Sequence, residues 1–386
     1  MNVKKVLFLF IGWRMLLFLF LFLSIQKLQL QQYFIGGGMS AYVKNPYLWS
    51  WINFDGEHYL SIARDGYMPL TYFYFPLYPL FVRLVANILG GTFRIYAITG
   101  LVISHIAFFI GIIGLIKLTR LDYSIKITKQ LIILLLLFPT SFYFISYYTE
   151  GLFFALVIWA FYFARKNIWV LAGILGGLSS ATRVLGIALF PALIAEYFIA
   201  KRSLRIGRDF INLLLIPIGL LIYMLFLKIR TGDALEFFNN VGIFGQQRSA
   251  NLIILPQVFY RYIFKILPNV NYNYFPAVFS TWMELIVGII FAITVIWAII
   301  ISLNKIKGTK MHLGYTIFLI MGYLIPPLSG SFSSLPRYVL ILFPGFMLIS
   351  VFLLTLPRII RTGTLIISGL SLAIATVFFS RGYWVA

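Results

Sequence analysis

The chain has 386 residues, 61% of them hydrophobic and 11% charged, with 31 basic against 10 acidic side chains and no cysteine. So little polar surface cannot keep a chain of this length in water, and the lack of cysteine excludes disulfides, thiolate metal sites and cysteine nucleophiles. A net charge of +21 would suggest nucleic acid in a soluble domain, but here the basic residues fall mainly in short loops between apolar stretches, the pattern of a membrane protein.

In lipid every backbone polar group must be paired internally, so a span is either a helix of about 20 apolar residues or a strand of a closed barrel. Runs such as LIILLLLFP and LIISGLSLAIATVFF lack the alternation of a barrel strand. The fold class expected is therefore all-α, a polytopic transmembrane bundle in a single domain over 1–386. Hydropathy gives about eleven spans: 6–25, 94–117, 129–146, 150–165, 168–183, 185–200, 210–229, 279–303, 311–329, 337–356 and 362–380. The first follows MNVKK, carries Arg14 and has no small-residue cleavage site, so it reads as a retained span and not as a signal peptide.

A cytoplasmic N-terminus sorts the charges best. The inner loops then hold Lys4, Lys5, Lys117, Arg120, Lys126, Lys129, Arg165, Lys166, Lys201, Arg202, Arg205, Arg208, Lys305, Lys307, Lys310, Arg358 and Arg361. Two long excursions, 26–93 and 230–278, lie outside with most of the carboxylates: Asp55, Glu57, Asp65, Glu150, Asp233, Glu236 and Glu284. Chemistry is thus expected on the outer face of a multi-pass membrane protein. The three histidines, at 58, 105 and 312, are too scattered to suggest a multi-histidine metal site.

The first excursion gathers polar groups in an aromatic setting: Trp51-Ile52-Asn53-Phe54-Asp55-Gly56-Glu57-His58-Tyr59, then Arg64-Asp65-Gly66-Tyr67 and Tyr74-Phe75-Pro76-Leu77-Tyr78-Pro79. A helix over 54–64, closed by Gly66, would put Asp55, His58 and Tyr59 on one face. Leu60, Ile62 and Ala63 would help such a helix lie on the membrane interface. Residue types alone fit equally an interfacial helix capped by Asp55 and anchored by Tyr and Trp.

The segments FDGEHYLSIARDGY and YFPLYPLFVRL resemble the first-loop signature of PIG-V-type mannosyltransferases and their prokaryotic relatives, members of the GT-C superfamily of glycosyltransferases. Phe138 to Phe153, Leu335 to Pro344 and, more weakly, Ala181-Thr182-Arg183 are similar to further family patterns in the same order. Phe54 stands where the family usually carries tryptophan. The resemblance implies a GT-C-like bundle with loop helices on its outer face. It also implies inverting transfer of a hexose, mannose by family inference, from a polyprenyl-phosphate donor to a hydroxyl of a glycolipid, glycan or protein.

Asp55 matches the family's first-loop aspartate and would be the general base, since a lipid phosphate leaves readily and the acceptor's proton is the main demand. Glu57, His58 and Tyr59 are candidate substrate contacts beside it. Arg183 and Arg337 are candidates for the donor phosphate, because a guanidinium stays charged near lipid and offers a fork of donors; either could instead snorkel to a headgroup. Asp55 and Glu57 form a D-x-E pair, but residues two apart on a helix face different ways, so transfer without a metal or other cofactor is expected. Glu150 reads as a charge stabilising a helix N-terminus. The aromatic runs 72–78 and 142–148 would wall the lipid or sugar. Asn239, Asn240, Gln246, Gln247 and Arg248 in the second excursion would discriminate the acceptor. The rival readings are a lipid-sugar flippase or transporter, which should line a polar path through the membrane, and a catalytically silent scaffold.

Overall fold

The computed structural model describes residues 3–203, 205–239, 252–304 and 311–385, whose regular structure is all helical, with no strand among them. Asn240, Gln246, Gln247 and Arg248 lie outside the described residues, as do Lys305, Lys307 and Lys310. Among the described residues, six helical segments are long and apolar enough to cross a membrane: Val3–Lys27, Phe93–Thr119, Val184–Lys201, Arg208–Thr231, Phe275–Leu303 and Arg358–Ser380. A seventh is made if Leu335–Ile341 and Phe343–Thr355, bent by 87° at their junction, count as one.

Of the eleven spans expected from hydropathy, six, or seven with the bent pair, are thus carried by helices of spanning length among the described residues. The remaining four apolar stretches form shorter helices, Ile125–Leu136, Glu150–Arg165, Trp169–Thr182 and Leu313–Leu324. Sixteen residues rise about 24 Å, short of the roughly 30 Å hydrocarbon core. Each short helix continues at one end into irregular or 3-10 structure, where neighbouring protein, not the helix itself, must satisfy the backbone. Hydropathy registers the apolar side chains of such a segment but not where its helix stops.

Glu150–Arg165 is the central rod, packed between Phe93–Thr119 and Trp169–Thr182. Close approach requires glycine at two places. A Cβ on Gly151 would fall 2.3 Å from the Phe144 carbonyl oxygen, and one on Gly100 would fall 2.1 Å from the Tyr147 ring. The rod carries Glu150 at one end and Arg165 at the other, about 22 Å apart along the helix. At the Arg165 end its guanidinium forms two hydrogen bonds to Asp122, at 2.6 and 2.9 Å, with Glu196 and His312 beside them.

At the Glu150 end four chain segments are tied together by backbone-directed bonds. Asn53, fully buried, accepts from Gly36 N–H at 2.9 Å and donates to the Phe379 carbonyl at 2.8 Å. Tyr148 donates to the Asn53 carbonyl at 2.8 Å, Tyr143 to the Val385 carbonyl at 2.8 Å, and Thr140 to the Pro336 carbonyl at 2.7 Å. The first excursion, the 138–150 turn, the Leu-Pro-Arg-Tyr turn and the C-terminal segment are thereby joined before any ionic group is considered.

Candidate active site

Asp55 opens the helix Asp55–Asp65, which ends at Gly66 with φ +96°. The preceding Phe54 has φ +58°, a backbone region that costs a non-glycine residue about 1–3 kcal/mol and is held only where surroundings over-determine it. Those surroundings are the anchors of Asn53, the Phe54 N–H bond to the Phe34 carbonyl at 2.9 Å, and the ring of Trp384 edge-on at 5.4 Å. Ser334, three residues before Arg337, has φ +65°. Both halves of one ion pair thus leave turns with unusual backbone.

That pair is Asp55 with Arg337. Arg337 Nη1 donates to Asp55 Oδ2 at 2.5 Å, and the Tyr74 hydroxyl donates to Oδ1 at 3.1 Å. The residue at the cap of this helix is Phe54, and the described hydrogen bonds of the Asp55 carboxylate go to Arg337 and Tyr74. Arg337 is 5% exposed and lies against the faces of Tyr143, Tyr148 and Tyr338 at 5.2–5.4 Å. Its Nε is 3.5 Å from Glu150 Oε1, an ion pair without a formed hydrogen bond. Glu150, 1% exposed, also accepts from Arg183 Nη1 at 2.5 Å, and the same Nη1 donates to Thr149 at 3.1 Å. Arg183, Glu150, Arg337 and Asp55 form a row of alternating sign with no net charge.

Burial opposes ionisation of Asp55, but Arg337 outweighs it, aided by the Tyr74 hydrogen bond, and the carboxyl sits below the ordinary range. His58 is held below its usual value by burial, which exceeds the pull of Asp55. At neutral pH His58 is therefore uncharged, and Arg337 supplies the cation. Tyr74 is pushed up by burial and by Asp55, so it serves as a donor.

Two cavities meet at this pair, and Asp55, Phe73, Tyr74 and Arg337 line both. The first, about 220 Å³, adds Glu150 and Arg183 to apolar walls that include Leu185, Phe237 and Leu328. The second, about 390 Å³, is lined by Gln31, His58, Ser334 and Trp384 among others. Arg337 Nε and Glu150 Oε2 are buried without a hydrogen-bond partner, although a buried polar atom left so costs about 1–3 kcal/mol. Both belong to residues lining the first cavity.

A family model described as Mannosyltransferase (PIG-V) matches residues 4–272. The chain belongs to the PIG-V mannosyltransferase family. No curated protein and no solved structure matches it. Membership makes this PIG-V relative a membrane glycosyltransferase, and its family match contains Asp55, Glu150 and Arg183 but stops short of Arg337.

Of the residues singled out in the sequence of this PIG-V-family chain, Asp55, Tyr59, Arg183 and Arg337 line the first cavity and His58 the second. Glu57 lines neither. It is half-buried against the Gly38 backbone, and burial pushes its carboxyl up to about 7. Leu60, Ile62 and Ala63 are buried in the protein and do not face an interface, which corrects that expectation. Asn239 turns to Asp233, 2.6 Å away. Each arginine is paired within the protein, Arg183 with the buried Glu150 and Arg337 with the half-buried Asp55, which leaves neither guanidinium to snorkel. Sequence reasoning missed two residues. Glu150 has a sufficient local explanation at its helix start, yet two arginines in apolar segments call for counter-charges and could have exposed it. Tyr74 was one aromatic among many.

Proposed function

We propose that this glycosyltransferase moves a hexose, mannose by family, from a polyprenyl-phosphate donor to an acceptor hydroxyl at the outer face of the membrane, with inversion and without a metal, in a GT-C-type bundle. The observation that carries the reading is the convergence of Asp55, Glu150, Arg183 and Arg337 on one cavity with apolar walls.

Arg183 and Arg337 meet the donor phosphate, and the buried Nε of Arg337 is a donor for one of its oxygens. The apolar walls take the first part of the lipid. The acceptor enters through the second cavity, so that Asp55 reaches its hydroxyl from the side away from the phosphate. The acceptor O–H proton passes to Asp55 as the acceptor oxygen bonds to the anomeric carbon. The bond from that carbon to the phosphate oxygen breaks on the opposite face, and polyprenyl phosphate leaves.

Negative charge therefore migrates from Asp55 to the leaving phosphate. Arg337 touches Asp55 at the outset and lies at the cavity that would take the phosphate, so it can follow that charge while moving little. Two fixed guanidinium groups provide what a divalent ion would otherwise supply.

Transfer of labelled mannose from polyprenyl-phosphate mannose, in excess EDTA, tests the reading. Wild type should remain active, and Arg337→Gln should raise the KM for donor about tenfold while changing that for acceptor much less. Equal effects on both substrates would remove Arg337 from the phosphate. Activity abolished by EDTA and restored by magnesium would overturn metal-free transfer.

A further inference from the structure

A third cavity, about 710 Å³, shares no lining residue with the other two. It runs down Phe93–Thr119 from Ile98 to Ile110, and down the central rod from Leu152 to Phe163. At 1.5 Å per residue these stretches are about 18 Å and about 17 Å long. That is close to one leaflet, about half of the roughly 30 Å hydrocarbon core. The lining is apolar except for Thr99 and the Trp159 indole, whose N–H donates to the Ile110 carbonyl at 3.1 Å and so is satisfied.

One wall belongs to the helix Leu77–Ile88, through Phe81, Val85 and the following Leu89. This helix has two apolar faces. Tyr78, Val82 and Ala86 are buried in the protein, while Leu80, Leu84 and Ile88 are 53–77% exposed. A short helix with its outward face so apolar lies in the interface, where headgroups give way to chains. The groove therefore starts at that level.

Arg94 stands one turn above the groove. It is four residues before Ile98 on the same helix, which makes the two neighbours on one face. Arg94 is exposed and makes no hydrogen bond or ion pair among the described residues. The nearby Arg64, over the ring of Phe93, is by contrast spent on Asp65 at 2.7 and 2.8 Å.

We propose that the third cavity binds an acyl chain of a phosphate-bearing glycerolipid from the leaflet on the Asp55 side, with the lipid phosphate held by Arg94. Length and charge together select this ligand. A partner helix would cross the whole core, whereas the groove covers only about half of it. Seated there, the lipid backs the helix Leu77–Ile88, whose other face packs on the helix Asp55–Asp65. The proposal does not depend on the transferase reading.

Native mass spectrometry of the full chain, released from detergent, reads the binding, with dioleoyl phosphatidylglycerol as the probe. Wild type should hold it about fivefold more tightly than dioleoylglycerol, which has the same chains and no phosphate. Arg94→Gln should erase that preference while changing dioleoylglycerol binding by less than about twofold. Val102→Phe, at a groove side chain that is 47% exposed and so has room to be enlarged without unfolding the bundle, should weaken both lipids about tenfold. Ile293→Phe, at a 60% exposed position on the helix Phe275–Asn304, should weaken neither. Binding unchanged by Val102→Phe, or a phosphate preference that survives Arg94→Gln, overturns the site. So does displacement of the phospholipid by equimolar polyprenyl phosphate, which would give the groove to the donor, or retention of a second polypeptide in place of lipid. Lipid binding with these shifts in a protein that transfers no sugar would sink the transferase reading and leave the lipid site standing.

Discussion

Replacing Asp55 by asparagine separates its charge from its shape. The amide oxygen can accept from Arg337 where Oδ2 now lies 2.5 Å from Nη1, and the amide nitrogen can donate to the Tyr74 hydroxyl, 3.1 Å from Oδ1. Packing should therefore survive. Arg337 keeps Glu150 at 3.5 Å, so the stability cost should fall below the roughly 3–5 kcal/mol of leaving a buried ion wholly unpaired. The kinetic cost is larger. A positioned base is worth about 10²–10⁴-fold, or about 2.7–5.4 kcal/mol of barrier. Labelled-mannose transfer by matched amounts of folded wild type and Asp55→Asn measures it. The pH profile adds a sharper check. The base must be ionised, so the rate falls as pH drops through its pKa, which Arg337 holds below 3.8 in the free protein. Donor phosphate competing for Arg337 would raise that pKa in the complex. The acid limb of kcat should accordingly lie at higher pH than that of kcat/KM. A mutant rate within about threefold of wild type would remove Asp55 as the base, and coincident acid limbs would refute the competition for Arg337.

Glu150→Gln leaves Arg183 and Arg337 with one carboxylate between them and removes a competitor for the phosphate, so donor KM should fall about threefold while the melting temperature also falls; an unchanged donor KM would make Glu150 a purely structural charge. Glu57 is pushed from 4.5 to about 7 by burial, so the folded state holds its proton more tightly than the unfolded chain does. Stability should decline as pH rises from about 4.5 to about 7, and Glu57→Gln should flatten that slope, by about 2 °C at pH 7 in a thermal melt; an identical slope in both would refute the burial effect. The chain has no cysteine, so Met68→Cys, at a side chain 46% exposed in the first excursion, offers a unique thiol. It should react with an impermeant maleimide from outside the cell, and labelling from the cytoplasmic side alone would invert the proposed topology.

The helical class and the candidate residues were legible because they are local properties. A hydrophobic run declares a helix, and carboxylates in an aromatic loop declare a polar purpose. The partnership of Asp55 with Arg337 was not legible, since it joins residues 282 positions apart and depends on the bend of 87° that follows Arg337. Glu150 was read as a helix-end charge, which it is by position, while its carboxylate is spent on two arginines from other segments. Long helices match only some of the eleven expected spans for the same reason in reverse: apolar side chains persist through 138–149 and 325–329, where the α-helix has already given way to turns and 3-10 structure.

The neutrality of the four-residue row links folding to function. Any one of these charges alone in an apolar setting would cost several kcal/mol, and each is supplied by a different part of the chain: the first excursion, the central rod, the turn after Thr182 and the turn before Val339. Bringing the segments together is what makes the charges tolerable, so the bundle cannot close at this end without assembling the site. In the proposed transfer, a phosphate-bearing donor enters a row already balanced and must compete with Asp55 and Glu150 for the arginines. That competition weakens donor binding in the ground state. It also directs the strongest stabilisation to the moment when Asp55 has taken a proton and the phosphate has gained a charge, which is where a transferase gains rate.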